Sequence, residues 1–186
     1  MFLKALDHLE ETLIAFLMGA ATLLIFVAVL HRYAAGMHIP VVQDALLKLD
    51  LSWSQELCIY MFVWMAKFGA AYGVRTGIHV GVDVLVNHLS EAWRKTYVLF
   101  GLLAGAVFTG TIGSFGANFT WRMAHTAQVS PDMEIPKWIV YLCIPLGSYL
   151  MCFRFLQVAW AFVKTGDLPK HNEADVEGVE PAGANA

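Results

Sequence analysis
WSQELCIYMFVWMAKFGAAYGVRTGIHVGVD, residues 53–83, decides how the chain is read. Glu56 stands at one end of an apolar run of membrane length, and Arg75-Thr76-Gly77-Ile78-His79 closes the other. Between them the only charged side chain is Lys67. An ionisable group deep in a bilayer costs about 2.5–3.5 kcal/mol on insertion scales, so something other than lipid is expected to face it. The run is read as a transmembrane helix with a partner.

Composition agrees with a membrane setting. Of 186 residues, 58% are apolar and 15% charged, with a mean hydropathy of +0.58. A soluble domain carries about 25% charged residues. The net charge of −3 is concentrated in Thr165–Ala186, where Asp167, Glu173, Asp175, Glu177 and Glu180 face Lys170 alone. The remaining 10 acids and 11 Lys or Arg nearly cancel, so the basic footprint of a nucleic-acid binder is missing. Cys58, Cys143 and Cys152 lie inside apolar runs, odd in number and widely spaced. They are read as buried packing residues rather than a disulfide framework or zinc site. The apolar run Thr12–Leu30 follows Asp7, Glu10 and Glu11 and, at 19 residues, is longer than the apolar region of a secretion signal. It is expected to be a retained anchor rather than a secretion signal.

Crossing a core of about 30 Å takes roughly 20 helical residues. Four segments qualify: about 12–33, 54–75, 96–120 and 138–163. The expectation is an all-α integral membrane protein, four transmembrane helices plus short interfacial helices, over residues 1–164. An acidic, disordered tail is expected over 165–186. Trp53, Trp121 and Trp138 would mark one water boundary and Trp93 and Trp160 the other. Loop Lys and Arg residues number six on the side of the termini and four opposite, which puts both termini in the cytoplasm. Residues 34–51 include a helical apolar pattern that suits a surface-lying helix, and 122–137 read as a polar loop with Pro136 in the first turn of the last span.

Glu56, Tyr60, Val63 and Lys67 share one helix face. Two readings stand: a polar stripe aimed at a partner, or an interfacial Glu56 with Lys67 snorkelling to headgroups. Glu56 and Lys67 lie about 16 Å apart along the axis, too far to pair. His79 and Asp83 fall four apart and with Arg75 are expected to order the middle loop. Gly101-x-x-x-Gly105 on the third helix permits close helix approach. Pro145 should kink the fourth helix and free a backbone carbonyl, and Arg154 is expected to snorkel. No phosphate loop, nucleophile elbow, deep carboxylate pair or second interrupted helix is present, so neither an enzyme nor a self-sufficient transporter is expected.

Trp53-Ser54-Gln55-Glu56-Leu57, Phe62-Val63-Trp64, Gly69-Ala70, Arg75-Thr76-Gly77-Ile78-His79 and Val82-Asp83 resemble the second-helix signature of DctQ, the small membrane subunit of tripartite ATP-independent periplasmic (TRAP) transporters. Ile135-Pro136-Lys137-Trp138, Tyr141 and Ile144-Pro145-Leu146-Gly147 resemble its fourth-helix pattern, and Arg32-Tyr33 suits the end of its first. The likeness spans about residues 10–163. The family often has two acids at the position of Gln55-Glu56 and an apolar residue at that of Lys67.

That resemblance implies a non-catalytic scaffold for a sodium-coupled importer of organic acids in a bacterial inner membrane. It implies two protein partners, a large membrane subunit of about twelve spans and a periplasmic substrate-binding protein, with phospholipid around them. Glu56, Tyr60, Lys67, Gly101 and Gly105 become candidates for the subunit interface, and no catalytic, substrate-binding, metal or cofactor residues are expected. The rival reading is a b-type cytochrome anchor, with His31 and His125 as the nearest haem-ligand candidates.

Overall fold
A computed structural model of the chain describes residues 2–37, 48–77 and 91–166. The helices are α1 (Phe2–Ala35), α2 (Ser52–Thr76), α3 (Glu91–Ala124), α4 (Lys137–Tyr141) and α5 (Cys143–Thr165). Four stretches are long and apolar enough to cross a membrane: Leu6–Ala35, Ser52–Thr76, Trp93–Ala124 and Lys137–Thr165. The architecture is an all-α, four-span helix bundle. Most of the segment expected to lie on the surface between the first two spans, the loop holding His79 and Asp83, and the tail beyond Gly166 fall outside the described residues.

The spans stand in a row, in the order α1, α2, α5, α3. α1 packs on α2, α2 on α5, and α5 on α3, while α2 and α3 share no packed seam among the described residues. The last span in sequence is therefore an inner member of the row. Each helix keeps apolar side chains open on the broad faces, such as Phe26 on α1, Phe62 on α2, Phe108 on α3 and Trp160 on α5. A helix apolar all round is what a bilayer or a partner's core accepts.

The α3–α5 seam is built from small residues. Leu102, Ala106, Thr109, Gly113, Gly116 and Thr120 are all buried, and their spacing of 4, 3, 4, 3 and 4 keeps one edge of α3 against α5. A Cβ at Gly116 would lie 2.7 Å from Ile144 Cγ2, and one at Gly105 would lie 2.9 Å from the Phe155 ring. Gly101 has open space around it. Toward α5's end the seam widens into a cluster of Val98, Leu102, Val158, Ala159 and Phe162.

Pro145 breaks the fourth span into α4 and α5 at Leu142. Proline lacks the N–H that would close on Tyr141 O. The Thr120 hydroxyl of α3 donates to that carbonyl at 3.4 Å. Pro136 caps α4 from outside, at the N-cap, rather than sitting in its first turn. At the other end of α2, Gly77 takes the left-handed conformation (φ 84°) that lets its N–H reach Gly73 O and Val74 O.

Candidate functional site
Two polar clasps hold the row, one at each end of the spans. The first gathers where α1 begins and where α2 and α5 finish. Asp7, Glu10 and Glu11 sit at offsets 0, 3 and 4, which places them together on one side of α1. Arg75 of α2 pairs with Asp7 (Nη1–Oδ1 2.8 Å) and Glu11 (Nη2–Oε1 2.5 Å). Arg154 of α5 reaches Asp7 (Nη2–Oδ1 2.6 Å), donates from Nε to Glu10 Oε1 at 3.1 Å, and donates from Nη1 to Gln157 at 2.8 Å. Arg154 and Glu10 are both fully buried, with 0% side-chain exposure. Glu10 Oε2 lies 2.9 Å from Arg154 Nη2, an ion-pair contact, but outside hydrogen-bonding geometry.

This clasp corrects one expectation. Arg154 does not snorkel: it lies between two acids whose attraction replaces the water it lacks. Arg75 pairs with α1 among the described residues, and the loop it is expected to order lies outside them. The sequence does not single out Asp7, Glu10, Glu11 and Arg154 as a group, because the acids precede the first apolar run and the arginine lies in the last. Their offsets, and an arginine eleven residues before the end of an apolar helix, were the available signals.

The second clasp closes the opposite end. Glu56, on the second turn of α2, is buried. The Tyr60 hydroxyl donates to its Oε1, and the backbone N–H groups of Asp132 and Met133 donate to Oε2 at 2.9 and 3.0 Å. The loop between α3 and α4 is drawn onto α2 by this carboxylate. It is more ordered than a simple polar connection. Val129 and Pro136 form an antiparallel bridge, Ser130 N donates to Ile135 O at 2.8 Å, and Glu134 adopts a positive φ of 54°. Just before α2, Asp50 accepts the Ser52 N–H at 2.9 Å, which holds that carboxyl below its ordinary range.

The structure thus separates the sequence candidates. Glu56 and Tyr60 are engaged inside the chain. Gly105 is seated under Phe155, within the α3–α5 seam, whereas Gly101 is open. Lys67 lies half-buried at the α2–α5 seam, its Cβ over Gly147, and makes no ion pair among the described residues. No group of three or more His, Cys, Asp or Glu suited to a metal occurs among the described residues.

A single row of apolar spans, clasped at both ends, defines a multi-pass helical membrane protein. Residues 21–165 match the family described as "Tripartite ATP-independent periplasmic transporters, DctQ component". The C4-dicarboxylate TRAP transporter small permease protein DctQ of Rhodobacter capsulatus is 52% identical over 196 aligned positions, covering 96% of this chain and 86% of that protein. The protein of the same name from Vibrio cholerae is 33% identical, covering 88% and 75% respectively. A stretch making up 16% of the isethionate TRAP transporter permease protein DctMQ of Oleidesulfovibrio alaskensis is 24% identical over 56% of this chain. The chain belongs to the DctQ family of TRAP small permeases and is not an enzyme. The cytochrome reading finds no support in these relatives, and α2 and α5 stand between the helices that lead to His31 and His125.

Proposed function
We propose that this chain is the scaffold subunit of a sodium-coupled importer of C4-dicarboxylates or related organic acids in a bacterial inner membrane, with both termini in the cytoplasm. It braces a large transport subunit and helps a periplasmic binding protein to dock. The observation that carries this reading is the open row itself. Among the described residues the paired carboxylates Asp7, Glu10, Glu11 and Glu56 are gathered at two ends, leaving broad apolar walls that suit a larger membrane partner. The C4-dicarboxylate names of the relatives support the substrate class, and the match to one stretch of a longer permease supports the large partner. The loop held by Glu56 is the surface offered to the binding protein.

Reconstitution tests this. Vesicles holding this chain and its large partner should take up succinate only with a sodium gradient and the loaded binding protein. Vesicles holding this chain alone should take up none. Uptake by the lone chain would refute the scaffold reading.

A further inference from the structure
We propose that Lys67 is the docking point for a carboxylate side chain of the large membrane subunit, presented to the α2–α5 seam at mid-membrane depth. This rests on the scaffold reading and adds the chemistry of one contact.

The depth comes first. Lys67 follows the first residue of α2 by about 22 Å of helix and precedes the last by about 14 Å. Neither distance is within the reach of a lysine side chain, so the ammonium does not arrive at headgroups from either end. A lipid phosphate, confined to the headgroup layer, is excluded as its counter-ion for the same reason.

Among the described residues, the acids of α1 and α2 are committed elsewhere. Asp7, Glu10 and Glu11 serve Arg75 and Arg154, and Glu56 is bound to Tyr60 and the loop about 16 Å away. A charge left like this in a bilayer interior is paired with another protein group or lines a cavity.

The surroundings say what kind of group. Gly147 leaves room for the Lys67 Cβ, so the side chain starts in the seam rather than on open lipid. Beside it, Ile59, Phe62, Val63 and Ala66 form an exposed stripe along α2. An apolar wall next to one unmatched cation is complementary to a helix that is apolar except for one acid.

The test is co-purification of the detergent-solubilised complex, with the large subunit tagged, followed by a binding titration. Lys67→Met should weaken association at least about tenfold, Lys67→Glu more, and Lys67→Arg little; a tenfold change corresponds to about 1.4 kcal/mol. The isolated Lys67→Met chain should unfold no earlier than wild type, since a purely internal role would predict the opposite. A partner variant with its mid-membrane acid changed to lysine should restore binding to Lys67→Glu. Unchanged affinity of Lys67→Met, or failure of every such partner variant to rescue, overturns the proposal while leaving the scaffold reading intact. If wild-type chain does not co-purify with any large membrane subunit, both readings fall.

Discussion

Replacing Arg154 by methionine keeps most of the side-chain volume on α5 but removes the positive charge from the first clasp. The immediate loss is the pair with Glu10, both partners being at 0% exposure, together with the 2.6 Å contact to Asp7 and the bond to Gln157. Asp7 keeps Arg75, so its loss is partial. Glu10 keeps no cation within hydrogen-bonding distance, and a buried carboxylate left alone costs about 3–5 kcal/mol relative to the intact pair. A second change, Glu10→Leu on the same background, removes that stranded charge, and apolar replacement of a whole buried pair is close to neutral. Arg154→Met should therefore destabilise the isolated chain by about 3–5 kcal/mol, and Arg154→Met with Glu10→Leu should recover most of it. Unfolding of the purified chain by sodium dodecyl sulfate, followed by circular dichroism, reads both differences. If the single variant unfolds within about 1 kcal/mol of wild type, or the double variant is no better than the single, the clasp does not hold the row in the way described.

Three further outcomes follow from the same contacts. Glu56→Ala strips a charged acceptor from two backbone N–H groups, each bond worth about 1.5–3 kcal/mol, so amide exchange at Asp132 and Met133 should accelerate more than tenfold; unchanged protection would count against the second clasp. Thr120→Val leaves the Tyr141 carbonyl without its hydroxyl donor and should cost about 1 kcal/mol in the same unfolding assay, whereas Thr120→Ser should cost less. Gly116→Ala places a methyl 2.7 Å from Ile144 and 3.3 Å from the Pro145 nitrogen, so about 1–3 kcal/mol of overpacking is expected; Gly101→Ala, with open space around it, should leave the isolated chain at least as stable, and equal losses from the two would refute the seam.

The number of the spans was legible because apolar run length is a direct consequence of bilayer thickness. Which helix touches which was not. A membrane helix is apolar on every side, so hydrophobic periodicity carries little information about its neighbours. The glycines of α3 announced a close seam, but nothing local says that Gly116 meets Ile144 rather than a residue of α2. Glu56 stands out in the sequence, but its backbone donors do not, because Asp132 and Met133 lie 76 and 77 residues away. Arg154 shows the same difficulty: its acids are 144 and 147 residues distant, and only folding brings them together. Pro145 was readable in its local effect, the broken span, but not in the identity of the hydroxyl that answers it.

The order of the row has a consequence for how the chain is made. Consecutive elements usually become spatial neighbours, yet α2 and α3 are kept apart by a helix that the ribosome delivers last. During synthesis α1 and α2 can associate at once, while α3 waits in the bilayer without its seam. Only when residues 137–165 emerge can the fourth span slide in, take Arg154 to the acids of α1 and Ile144 to Gly116, and turn two separate pieces into one wall.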